Sequence, residues 1–146
     1  MKARNHNVKK SWHIVFFILA LLVRIAFLAF DHSLDDQLLD SMEDQYIYID
    51  LAKNLAAGNG FVVSQPTWVA NAYHPTSIMP PLYPLFLATI FKIFGVNLVL
   101  VRLLQAVFSA FIVNLMILIG ERLFRWETAL LAGGLAAFYP ALVMYV

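Results

Sequence analysis

Cysteine is absent from the 146-residue sequence, which excludes a disulfide framework, a thiol nucleophile and a thiolate metal site. Charge is scarce: Asp, Glu, Lys and Arg make up 13% of the chain, against about 25% in an ordinary soluble domain. No glycine loop of Walker or Rossmann spacing occurs, because Gly58-Asn59-Gly60 closes a helical pattern rather than following a strand. There is no supporting motif for Ser-His-Asp catalysis and no basic patch for nucleic acid. Internal repeats, low-complexity tracts and Asn-x-Ser/Thr sequons are also missing. What is present is apolar. Hydrophobic residues reach 62% and aromatics 14%, with a mean hydropathy of +0.76. Disorder is excluded by these figures, and a water-soluble fold is disfavoured. The expectation is an all-α integral membrane protein.

A bilayer core of about 30 Å needs roughly 20 apolar residues in a helix rising about 1.5 Å per residue. Residues 12–30, interrupted only by His13 and Arg24, meet that requirement. Residues 1–11 carry Lys2, Arg4, Lys9 and Lys10 and no acid. They read as a cytoplasmic tail, which sends the first span outward. A cleavable signal peptide is the rival reading, but no small-x-small site precedes Asp31. The apolar run 82–96 makes only about 22 Å of helix. It also carries Lys92, so it is expected to lie at the outer interface. Residues 98–119 span. The turn 120–128 then holds Arg122 and Arg125, which the positive-inside rule keeps cytoplasmic. Residues 129–146 begin a third span. Its unanchored end at Val146 suggests the start of a longer protein.

The intervening segment 31–97 is extracytoplasmic on this topology. Its part 31–79 carries Asp31, Asp35, Asp36, Asp40, Glu43, Asp44 and Asp50 against Lys53. Ile47, Leu51 and Leu55 recur at helical spacing, with Tyr48 and Ala52 beside them. Asp44, Asp50, Lys53 and Asn54 fall on the remaining faces. The pattern predicts an amphipathic surface helix over about 44–57, opened by Ser41 and stopped at Gly58 or Gly60. Residues 61–72 are expected to be extended or irregular. Three spans and two outer-surface amphipathic helices, 44–57 and 82–96, complete the expected architecture.

A carboxylate at such a surface can act as general base towards a hydroxyl, bind a hard divalent cation, or simply be solvated. Asp44 has a second reading as a helix-start residue that meets the dipole. Metal binding is a weak signal, since no strict Asp-x-Asp exists. Arg24 and Arg102 both lie near the outer ends of their spans. Each can snorkel, or hold a phosphate with its planar fork. His74 can ligate, shuttle protons or do nothing.

The ordered motifs do resemble a family. They are Asp44-x-Tyr46-x-Tyr48, Ala52-x-Asn54-Leu55, Gly58-x-Gly60-Phe61, Pro80-Pro81-Leu82-Tyr83-Pro84, Phe94-Gly95, Arg102-Leu103-Leu104-Gln105-Ala106, Gly120-x-Arg122-Leu123-Phe124, and Ala129-Leu130-x-Ala132 running to Tyr139-Pro140. Together they are similar to the N-terminal part of GT-C membrane glycosyltransferases. The branch is the protein-mannosyltransferase and lipid A aminoarabinose-transferase type, family-39-like, and the resemblance covers residues 12–146.

The resemblance implies a multi-pass enzyme of the bacterial inner (plasma) membrane. It would move a sugar from a polyprenyl-phosphate donor to an acceptor reached from the extracytoplasmic side, by an inverting route. Asp44 matches the family's essential acid by position, and Arg24, Arg102 and His74 would meet the donor phosphate. Tyr48, Pro80, Pro81 and Tyr83 would support the substrate loop. Relatives of the aminoarabinose-transferase type often carry a lysine where this chain has Met79, so His74 or Arg102 would take its part. The second acidic site of many relatives lies in the loop after the third span, beyond this sequence, and the chain alone is expected to be inactive. The alternative is a small non-catalytic membrane protein, such as an assembly subunit or truncated paralogue. The donor sugar, the acceptor and any divalent cation are open.

Overall fold

The computed structural model describes residues 2–30, 43–64, 71, 73–77 and 79–144. Six helices follow in order among them: α1 Lys2–Phe30, α2 Glu43–Ala57, α3 Leu82–Phe94, α4 Leu98–Leu123, α5 Trp126–Ala137 and α6 Pro140–Met144. The only β-type pairing among the described residues is an isolated antiparallel bridge between Val62 and Pro75. The chain divides into two compact units, Met1–Asp31 with Arg102–Val146, and His32–Val101.

In the first unit the large apolar side chains point outward and the small ones inward. Ile14, Val15, Ile18, Leu22 and Ile25 of α1 are exposed, as are Phe108, Phe111, Leu115, Leu118 and Ile119 of α4. Ala20, Ala110, Val113, Ile117, Ala129, Ala136 and Ala137 form the interior. This is the packing expected where lipid solvates the outside, since close backbone approach between membrane helices comes from small residues. On α5, Ala129, Gly133, Ala136 and Ala137 supply that surface. Phe17 and Phe111 add a ring contact at 4.8 Å, and His13 meets Glu121 at 3.7 Å.

Two helices, Ser11–Phe30 and Leu98–Leu123, are long and apolar enough to cross a membrane. A continuous third span is not found among the described residues. The stretch 129–146 breaks after Ala137, because Pro140 lacks the N–H that Ala136 would accept and its ring obstructs the preceding turn. Tyr139 donates to Ala136 O instead, at 3.3 Å. At 12 residues, α5 covers only about 18 Å. The basic stretch 2–11 is helical and continuous with the first apolar run in α1, since lengthening an existing helix needs no new nucleus.

In the second unit, Gly58 ends α2 at φ 84°. Its N–H donates to Leu55 O at 3.1 Å and Asn59 N–H to Asn54 O at 2.9 Å, the paired bonds of a Schellman stop. The apolar stripe of α2 is covered by protein. Ile47 and Leu51 pack with Val63 and Met79, with Tyr48 and Phe61 at the margin, and α3 lies against α2. Helix α3 begins after Pro81 and ends at Gly95 (φ 77°), two residues short of the expected 96 terminus by ordinary helix termination. It buries Pro84, Leu87, Ala88, Ile90 and Phe91 and leaves Leu82, Leu85, Ile93 and Phe94 exposed. Asn97 Oδ1 then accepts Leu100 N–H at 2.9 Å, capping α4.

Asp50 and Asn54 lie on the faces of α2 away from the Ile47–Leu51–Leu55 stripe, yet they are not solvated. They are 8% and 5% exposed, because the segment after the helix folds back over them.

Candidate functional site

Asp44 lies in the first turn of α2 and is exposed. Its carboxylate therefore sits where the helix dipole favours a negative charge, without being consumed by packing. One turn on, Tyr48 shares its face and is half-buried. Tyr48 meets Tyr83 of α3 edge-on, with ring centres 5.2 Å apart and planes at 80°. Tyr83 in turn stacks with Phe86 at 6.4 Å and 25°. Edge and offset arrangements of this kind suit the ring quadrupoles. The row Tyr48, Tyr83, Phe86 thus joins the helix that carries Asp44 to the helix opened by the two prolines.

Pro80 and Pro81 are exposed. Pro81 accepts Leu85 N–H at 3.1 Å as α3 begins, so the proline pair supports the loop by fixing the entry into that helix. His74 is exposed too. It follows Tyr73, whose φ of 56° is the only positive value among the described non-glycine residues. Its N–H donates to Asn71 O at 3.1 Å.

Arg24 and Arg102 belong to the other unit. Arg102 is half-buried on α4. Arg24 is fully buried at 0% exposure. Its Nε donates to Ser109 Oγ at 2.7 Å, and its Nη1 donates to Ala20 O at 2.9 Å and Ala137 O at 3.3 Å. Asp31, Asp35, Asp36, Asp40 and Ser41 lie outside the described residues. No group of three His, Asp or Glu side chains placed to hold a metal occurs among the described residues.

Sequence reasoning passes over a polar network beneath α2. Asp50 accepts Ser64 N–H at 2.5 Å and the Ser64 hydroxyl at 2.8 Å. Asn54 Nδ2 donates to Val62 O at 3.1 Å and Ser64 Oγ at 3.0 Å, while Asn59 Nδ2 donates to Asn54 Oδ1 at 3.1 Å. The available signal was the i, i+4 spacing of Asp50 and Asn54, each next to a residue of the Leu51–Leu55 stripe.

The described residues are helical apart from one isolated bridge, with two helices long and apolar enough to cross a membrane and, between them in sequence, a separately packed helical unit. A likeness to a known family lies in the second half of the chain. Residues 78–146, covering α3 to α6, match the family model described as dolichyl-phosphate-mannose-protein mannosyltransferase. No curated protein and no solved structure matches the chain. Pro80, Pro81, Tyr83 and Arg102 fall inside the matched residues, whereas Arg24, Asp44, Tyr48 and His74 precede them.

Proposed function

We propose that this chain forms part of a glycosyltransferase that moves a sugar from a polyprenyl-phosphate donor to an acceptor hydroxyl at the extracytoplasmic membrane face. The observation that carries the reading is the match of residues 78–146 to a family named for a dolichyl-phosphate-mannose donor. The exposed Asp44, one helical turn from the aromatic row Tyr48, Tyr83 and Phe86, supports it.

In this reading Asp44 takes the proton of the acceptor hydroxyl as its oxygen bonds to the anomeric carbon. The bond from that carbon to the phosphate oxygen breaks, inverting the centre, and the electron pair leaves on the polyprenyl phosphate. His74, in the same unit as Asp44, offsets the charge developing there. Arg24, fully buried and bonded through two of its three guanidinium nitrogens within its own unit, has no part in this step.

The test is transfer from a synthetic polyprenyl-phosphate mannose, by membranes in which the natural gene carries Asp44→Asn. Loss of a general base is expected to lower turnover about 10²–10⁴-fold with membrane insertion unchanged. Wild-type turnover would remove Asp44 from the mechanism.

A further inference from the structure

Arg24 occupies an unusual position for an intramembrane cation. No carboxylate among the described residues pairs with it, yet it is wholly buried. One of its partners is instead a place where a neighbouring helix has come apart. Ala137 is the last residue of α5, and a C-terminal carbonyl of a helix has no intrahelical donor. Pro140 ensures that the helix cannot simply continue. In a membrane there is no water to satisfy such a carbonyl. Arg24 Nη1 donates to it at 3.3 Å. Ser109, 7% exposed, does the same for the second half of the break. It accepts from Arg24 Nε at 2.7 Å and donates to Leu142 O of α6 at 2.9 Å.

We propose that Arg24 and Ser109 together act as an intramembrane cap that holds the α5–α6 break by satisfying one carbonyl on each side of it. Three properties of arginine fit the task. Its planar fork presents several donors at fixed angles, which lets one side chain serve a hydroxyl and a carbonyl on two other helices. Its positive charge faces the negative end of the α5 dipole, so the charge is partly offset without an acidic partner. It is also anchored on its own helix through Ala20 O at 2.9 Å. A lysine, with a compact ammonium, cannot reproduce the fork. Arg24 is thus a positioning residue, and this role does not depend on the sugar-transfer reading.

The cap is coupled to the break, and that coupling is measurable. Pro140→Ala returns the missing N–H and lets the helix close through residues 136–141, which makes the cap redundant. In the full chain in detergent micelles, Arg24→Met is expected to lower the thermal midpoint by several degrees. It should also speed amide exchange over residues 138–143 by about tenfold, leaving residues 113–119 little changed. In the Pro140→Ala background the same substitution should cost about half as much or less. Equal losses in both backgrounds, or exchange rising evenly through the whole unit, would overturn the proposal. If Arg24→Met does not fold, Ser109→Ala carries the same comparison. It severs one link only, and its loss must again shrink when Pro140 is replaced.

Discussion

Gly133 on α5 presses its backbone against the Ile117 side chain of α4, so closely that a Cβ built on Gly133 would overlap both carbons, Cγ1 and Cδ1, of that isoleucine's longer branch. One turn of α5 is held against α4 by the absence of a side chain. In lipid this matters, since helix association draws little from hydrophobic transfer and much from contact at close range.

The neighbouring glycine supplies the control. Gly133→Val is expected to destabilise the bundle by about 1–3 kcal/mol through overpacking. A methyl group added at Gly134 would meet Phe16 Cε1 at 3.6 Å, an ordinary contact, so Gly134→Ala should be neutral or slightly stabilising. Thermal unfolding of both variants in the same micelle checks the pair. Equal effects would mean that the Gly133–Ile117 approach does not set the packing.

The polar network under α2 makes a second prediction. Removing the Asp50 carboxylate strips both acceptors from Ser64 and leaves its backbone N–H without this partner. Asp50→Ala is therefore expected to cost about 1–3 kcal/mol. It should also release the segment that folds back over the helix. Limited proteolysis should cut between residues 58 and 77 sooner in Asp50→Ala than in the parent, with Asp50→Asn in between because one oxygen remains. Unchanged cleavage would show that the apolar contacts of Val63 and Met79 hold the segment alone.

A third prediction concerns orientation. The basic residues of 1–11 and the pair Arg122 and Arg125 are expected on the cytoplasmic side. Single-cysteine labelling is clean in a chain with no native cysteine. Lys53 and Glu127 are both exposed, and the Arg125–Glu127 pair, at 3.5 Å on the surface, contributes about 0–1 kcal/mol, so neither substitution should disturb the fold. Lys53→Cys should react with an impermeant thiol reagent in intact cells, and Glu127→Cys only after permeabilisation. External labelling at Glu127 would reverse the expected topology and place the α4–α5 turn on the same side as Asp44.

Much of the helical layout was legible because it is local. The apolar runs 12–30 and 98–119 declare their helices by length, and Gly58 and Gly95 mark helix ends because both sit at positive φ. Pro140 carried an equally local stop signal, and the break after Ala137 follows from it. The position of Asp44 at a helix start was legible for the same reason.

What covers each face was decided by the tertiary structure. A periodic stripe such as Ile47, Leu51 and Leu55 shows that something apolar must meet it, yet a lipid surface and a folded-back chain satisfy the pattern equally. Here Val63 and Met79 meet Ile47 and Leu51, and the same fold-back buries Asp50 and Asn54. Arg24 shows the point most plainly. Its sequence position allows snorkelling to the interface or contact with a phosphate. The structure instead brings it to Ser109 and Ala137, 85 and 113 residues away. A charge inside a membrane goes where unsatisfied dipoles are, and those exist only once the helices have packed.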